Sequence, residues 1–430
     1  MKFFEFMAFW RKKKEIAVNN DGHFKDDGVF CAMPWVHLHV TQNGNVTPCC
    51  QAPWGDEAKF GNINTSTIQE VWKGKRFEDF RKQMIKGKPA PACSRCYEKE
   101  EMGWISLREI TNDKYENEIN DLIQNKFHSS SYETPVYFDI RFSNVCNLKC
   151  RICNFSSSSS WYNDDLALGN IKPETPALTT SIIDEEKFFR EFREQIGSIK
   201  EVYFAGGEPL MMEQHYQILE FLIETGNTQC KLFYNTNLSR LKFKGFDILE
   251  LWKQFDYVNL AVSLDDIGER LEYQRKNAKW EQMVSNFETI KREANNVDLM
   301  ISPTISVFNI LSITEMHLEL FNKGYVRVED VVPTLLVYPL EFNIRNLSKE
   351  LKKIAEKRIE EHVIWLENQS VEDQKKMDYV LRQYRNIINY LNHDGDEKAR
   401  LNFPQKIAKL DALRDEDFVS VFPELKSLIH

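Results

Sequence analysis

The sequence predicts an α/β fold: a partial (β/α)6 barrel, a small cysteine-rich α+β module ahead of it and a helical extension behind it. Three observations carry this. Short apolar runs alternate with stretches of helical spacing from residue 136 to about 340, five of the nine cysteines lie within the first hundred residues, and no strand pattern recurs after 340. Strand–helix alternation implies parallel pairing through right-handed crossovers. In such a barrel the βα loops gather at the carboxyl ends of the strands, and a site belongs there.

Composition narrows the function classes. The chain has 430 residues and a formal net charge of −9, which allows two or three domains and a sizeable core. An acidic chain whose one basic tract is Arg11-Lys12-Lys13-Lys14 is a poor non-specific nucleic-acid binder. Residues 1–30 read as an N-terminal helical segment; the apolar stretch 1–10 is short and broken by charges, as a packing helix would be. No apolar run approaches the length of a bilayer span, and the amino terminus lacks a signal-peptide cleavage pattern. Nine cysteines without an export signal suggest a reducing compartment, the cytoplasm, and metal ligation in place of disulfides.

The module is expected over residues 31–127. Cys31 opens it, and a hairpin with its turn at Asn43-Gly44 leads to Cys49 and Cys50; Asn-Gly supplies the positive φ such a turn needs. Two stretches of helical spacing follow, 67–72 and 77–84, which fold the chain back so that Cys93 and Cys96 can meet the hairpin. On spacing alone a zinc ribbon and an iron–sulfur site stand level here. His37 and His39 read as ordinary strand residues. Residues 97–126 read as a charged connecting helix, and 128–135 as a linker.

In the barrel, expected over 134–340, the candidate strands are 136–142, 201–205, 230–235, 257–263, 299–304 and 328–335, with helices at 185–196, 213–224, 279–294 and 313–323. The loop after the first strand carries Cys146, Cys150 and Cys153. Short spacings let one tight loop aim three sulfurs at one point, and a [4Fe-4S] cluster held by three cysteines leaves one iron open to a substrate or cosubstrate. The alternatives are a zinc site or three unrelated buried thiols; zinc knuckles usually add a further Cys or His nearby, and none follows within sixty residues. Gly206-Gly207-Glu208-Pro209 follows the second strand, with two glycines for close backbone approach and a carboxylate able to accept from an ammonium. Asn235 and Asn237 end the third strand, Ser263 and Asp265 the fourth, and Thr304 to Asn309 the fifth. Away from any resemblance, each of these polar residues could equally be a turn former or helix cap. Cys230 reads as a packed thiol. The serine run 155–161, with the polar stretch to Thr180, reads as a long insertion that forms a mobile loop beside the site, and 341–430 as a helical extension without evident chemistry, with long helices at 351–368 and 371–391.

CxxxCxxC after a first strand, followed by GGEP after the second, resembles the radical S-adenosylmethionine (SAM) superfamily. Ile152 stands where that family usually has an aromatic residue. The resemblance implies a [4Fe-4S] cluster on Cys146, Cys150 and Cys153 whose open iron chelates SAM, cleavage of SAM to a 5′-deoxyadenosyl radical, and hydrogen abstraction from a substrate. It implies SAM contacts from Gly206, Gly207, Glu208, Asn235, Asn237, Ser263, Asp265, Thr304 and Asn309, and an electron donor such as a flavodoxin or ferredoxin. The words CxxPW, NGNVTPCC, GNI, EVW and CSRC around Cys31, Cys49, Cys50, Cys93 and Cys96 resemble the twitch or SPASM auxiliary-cluster module, which usually follows the barrel and here precedes it. That implies one auxiliary [4Fe-4S] cluster, with the glycine spacing favouring Cys49 over Cys50, and a peptide or protein substrate, as for a maturase. A small metabolite or RNA as substrate, or a non-catalytic iron–sulfur sensor, are the other readings; GGEP, Ser263 and Asp265 count against the sensor, which needs no SAM contacts.

Overall fold

The computed structural model describes residues 24, 28–53 and 55–429. The N-terminal helix expected within 1–30 falls largely outside them. The chain forms two compact units, the first comprising residues up to Ser143 with Thr179–Ala205 and Gln217–Leu232, the second Asn144–Leu178, Gly206–Tyr216 and Phe233–His430.

In the first unit, β1 (His37–Val40) and β2 (Asn45–Thr47) form the expected hairpin, joined antiparallel, and β3 (Gly61–Asn62) adds to β2. Gly44 turns at φ +78°, and a Cβ there would strike the carbonyl oxygen of Ser181 and the amide of Asn64. The other edge of β1 pairs parallel with β4 (Tyr137–Ile140), which pairs parallel with β5 (Glu201–Phe204). Strand period places Leu38, Val40, Phe138 and Ile140 on one face, all buried with Phe192 of the helix Glu185–Gln195. The opposite face carries His37, His39, Tyr137 and Asp139. A full capping box closes the start of the helix Ile68–Trp72: Thr67 Oγ1 accepts from Glu70 N at 3.1 Å, and Glu70 Oε2 from Thr67 N at 2.8 Å. The single helix expected over 97–126 is three, Ser94–Glu101, Leu107–Lys114 and Glu116–Gln124. Gly103, at φ +75°, ends the first, and Ser106 caps the second.

In the second unit, β6 (Lys231–Thr236, of which Phe233 onward belongs here), β7 (Val258–Val262) and β8 (Val297–Ile301) lie side by side, with β7 and β8 parallel in register from Val258↔Val297. The helices Trp280–Glu293 and Ile313–Asn322 lie where the apolar spacing puts them. The sixth strand is reduced to Thr334–Leu335, which pairs parallel with Thr304–Ile305. Its expected start is a 3₁₀ turn, Val328–Asp330, because Asp330 Oδ2 captures both the amide and the Nε of Arg327. Lys349–Glu367 and Gln374–Leu391 are the two long helices foreseen. The tail holds a third, Glu397–Arg414, which keeps Pro404 inside it and ends at Asp415 in the left-handed region. Among the described residues no helix is long and apolar enough to cross a membrane.

Candidate iron–sulfur and SAM site

The loop after β4 is shaped by local bonds. Cys153 N donates to Cys150 O at 2.9 Å, and Lys149–Cys150 pairs with Arg275–Lys276. The serine run is ordered around this loop, contrary to its reading as a mobile loop. Ser158 Oγ donates to Leu148 O at 2.7 Å, Ser160 Oγ to Cys146 O at 2.7 Å, and Cys146 N donates to Ser159 Oγ at 3.3 Å. Trp161, buried, donates its indole N–H to Cys150 O at 3.0 Å. Serine hydroxyls thus replace the apolar side chains the run lacks, satisfying backbone groups that sheet or helix would otherwise pair.

The three thiols are half-buried and lie within electrostatic reach of one another. Burial first, then the Cys150 sulfur, pushes Cys153 up to about 12; burial, then Glu208 and Cys150, do the same for Cys146. Cys230, fully buried at the foot of β6, stands apart as a packed thiol. The donor set fits a cluster with three protein ligands.

Glu208 comes to this loop through its backbone. Gly206 and Gly207 both take positive φ, and a Cβ on Gly207 would overlap the carbonyl oxygen of Val145; Glu208 N donates to that same oxygen at 2.7 Å. The carboxylate is 1% exposed. Oε1 accepts from Thr236 Oγ1 at 2.6 Å and Leu210 N at 3.1 Å, and Oε2 from Asn237 N at 2.7 Å. Burial outweighs these bonds and raises Glu208 to about 7. With four lone-pair positions and three donors, Oε2 keeps one position for a further donor.

The strand-end residues divide. Asn237 reaches the loop, its Nδ2 3.8 Å from Cys146 Sγ and 3.0 Å from Asn147 Oδ1, whereas Asn235 is exposed on β6. Ser263 and Thr304 are half-buried. Asp265 accepts from Thr304 N at 2.9 Å and pairs with Arg275 Nη2 at 2.8 Å. The amide of Asn309 is taken up by Asp265 O, Thr304 O and Ser306 N. Two functional residues were missed in sequence. Thr236 sits between the two asparagines that drew attention. Arg275 donates from Nη1 to Cys150 Sγ at 3.6 Å, and its only signal is a distant Arg-Lys pair with no local pattern.

The C-terminal helix also takes part. Arg151, between two cysteines and fully buried, is held by Asp411 at 2.5 Å and Glu416 at 2.6 Å, with Tyr273 under its guanidinium at 3.6 Å. Arg414 donates to Lys149 O at 2.9 Å and pairs with Asp164 at 3.0 Å.

In the first unit, helix Leu107–Lys114 pins the backbone around Cys31. Asn112 Oδ1 accepts from Ala32 N at 2.9 Å, and Asn112 Nδ2 and Arg108 Nη1 donate to Phe30 O at 2.8 and 3.0 Å. Cys93 ends a 3₁₀ turn begun by Pro91, and Cys96 lies in the first turn of the next helix. Burial, then the sulfurs of Cys50, Cys96, Cys93 and Cys31, raises Cys49 well above the ordinary thiol range, so the module's other four sulfurs lie within electrostatic reach of Cys49.

Fold and cysteine sets together describe an α/β protein with two groups of thiols of the kind that hold iron–sulfur clusters. The chain matches the Radical SAM superfamily over residues 140–309 and the iron–sulfur cluster-binding SPASM domain over 31–97. It carries a radical SAM domain and, ahead of that domain in sequence, a SPASM-like module. Its cofactors are SAM, a [4Fe-4S] cluster and auxiliary iron–sulfur. No curated protein matches the chain. Native anSMEcpe with bound AdoMet and Cp18Cys peptide is 14% identical, with a TM-score of 0.38, over 53% of this chain and 58% of that one. TYW1 with a lysine-pyruvate adduct bound is 16% identical, with a TM-score of 0.29, over 56% and 74%. The chain thus covers under two thirds of the first of these, and likenesses this slight carry no argument about its substrate.

Proposed function

We propose that this enzyme abstracts hydrogen from a peptide or protein substrate, with Cys146, Cys150 and Cys153 holding the catalytic cluster and Cys31, Cys49, Cys93 and Cys96 holding one auxiliary cluster. When bound, the catalytic cluster and SAM supply one-electron reductive cleavage to a 5′-deoxyadenosyl radical, fed by a donor such as a flavodoxin or ferredoxin. The observation that carries the reading is Glu208: a buried carboxylate, tied by its own backbone to the cysteine loop, with one acceptor position left for the SAM ammonium. Asn237 lines the same loop beside Cys146. Asp265 acts by positioning Arg275, whose charge lies against Cys150, and Asn309 by fixing the loop that presents Asp265. Buried Phe155, Ser158 and Trp161 cover one side of the loop. Cys49 is preferred over Cys50 because the sulfurs nearest it in electrostatic effect are those of the other cysteines, whereas Cys50 couples first to Asp139 and Arg141. The peptide substrate is inferred from the SPASM-like module in residues 31–127 alone.

The test is anaerobic reconstitution followed by iron counting and assay for 5′-deoxyadenosine. Two clusters predict about eight irons per chain. A deuterated peptide or small protein encoded beside the gene should pass deuterium into 5′-deoxyadenosine. Uncoupled SAM cleavage with no deuterium transfer from any such peptide would overturn the peptide reading.

A further inference from the structure

A buried polar cluster lies outside both cysteine sets, on the face of the first unit's sheet opposite Leu38, Val40, Phe138 and Ile140. β1 and β4 run parallel with His37 opposite Tyr137 and His39 opposite Asp139, so their side chains share one face. His37 is 1% exposed, His39 5% and Asp139 1%. His39 Nδ1 lies 3.0 Å and His37 Nε2 3.8 Å from Asp139 Oδ2, and one ligand atom from each residue falls within 4.8 Å of the other two. Nδ1 of His37 has no hydrogen-bond partner, and His37 Nε2 and His39 Nδ1 have only the Asp139 carboxylate beside them. A buried imidazole nitrogen is rarely left without a partner, because it forfeits its hydration without return.

We propose that His37, His39 and Asp139 form a binding site for a mononuclear divalent first-row metal ion such as Zn²⁺ or Fe²⁺. Two imidazoles and one carboxylate are a donor set such ions take, and the set leaves positions open for water or a further ligand. Arg141 does not close the site. It holds Oδ1 through Nε at 2.7 Å and Oδ2 through Nη2 at 3.0 Å, leaving the second lone pair of Oδ2 toward the two imidazoles, as outer-shell partners of ligating carboxylates do. The guanidinium also stacks on Tyr203, 4.9 Å from the ring centre.

The probe is zinc, added at low micromolar concentration to the full chain after both clusters are reconstituted, with excess removed by dialysis. About one zinc per chain is expected, and the zinc K-edge spectrum should show imidazole and oxygen at about 2.0–2.1 Å with at most one sulfur. Asp139→Asn and His37→Gln should each weaken retention at least tenfold while iron and sulfide stay unchanged, which separates this site from the clusters. No retained zinc, or a shell of sulfur alone, would overturn the proposal. The spectrum of the unaltered chain decides this even if a variant fails to fold.

Discussion

The two cysteine sets of this protein are built in opposite ways. Cys146, Cys150 and Cys153 come from one loop whose form is fixed by bonds within about fifteen residues, from Cys146 to Trp161. Cys31, Cys49, Cys93 and Cys96 come from separate segments, and their convergence depends on a hairpin, a capping box and the Asn112 and Arg108 clamp on the chain around Cys31. A local site tolerates change elsewhere and leaves an open face. A site assembled from distant segments is only as sound as the fold between them. The local loop nevertheless has long-range partners, among them Arg275 against Cys150 and, more than 250 residues away in sequence, the carboxylates of Asp411 and Glu416 on Arg151.

The largest effect should come from Cys150→Ala, which removes a ligand from the open-iron set: 5′-deoxyadenosine formation and the EPR change on adding SAM should vanish. Cys93→Ala in a folded protein should keep part of the SAM cleavage while losing about four irons per chain. Equal loss in both variants would erase the contrast between the sets.

Next is Asp411→Ala, which leaves the buried Arg151 guanidinium with one carboxylate in place of two. Breaking a buried pair costs about 3–5 kcal/mol, and the lower end is expected because Glu416 remains. Denaturant unfolding should show the loss, and iron should leave the catalytic set before the auxiliary one. A stability unchanged within error would mean the C-terminal helix is a bystander.

Glu208→Gln should weaken SAM by at least about tenfold, the worth of one charge-assisted hydrogen bond, with iron content unchanged. The wild-type enzyme should also show a pH dependence that the variant lacks. Burial raises Glu208 to about 7, so the carboxylate that meets the ammonium is lost as pH falls through that value, and SAM affinity should fall with it. The same raised value means that ionising Glu208 weakens the SAM-free fold as pH rises from the ordinary carboxylate range to 7. Isothermal titration of SAM between about pH 6 and 8 checks the first sign, and denaturant unfolding of the SAM-free protein over the same range checks the second.

The smallest effect is Thr67→Ala, which removes half of a capping box in the first unit at a cost of about 1 kcal/mol. It should loosen the distant-segment set, seen as faster chelator removal of auxiliary iron, and leave SAM cleavage intact.

What the sequence determined by itself was whatever rests on short spacing and periodicity. CxxxCxxC, GGEP, the Asn43-Gly44 turn and most of the strand–helix order lie in single windows, where the chain's own geometry leaves little freedom. Tertiary structure decided the rest. That Glu208 is buried, that Thr236 and not Asn235 reaches it, that Arg275 lies against Cys150, and that a tail without evident chemistry grips Arg151 all follow from contacts between distant segments. His37 and His39 read as plain strand residues because nothing in their own stretch places Asp139 beside them; a parallel register across a hundred residues does. Hydrogen bonds and ion pairs of this kind are satisfied through space, so their partners leave no trace in local pattern.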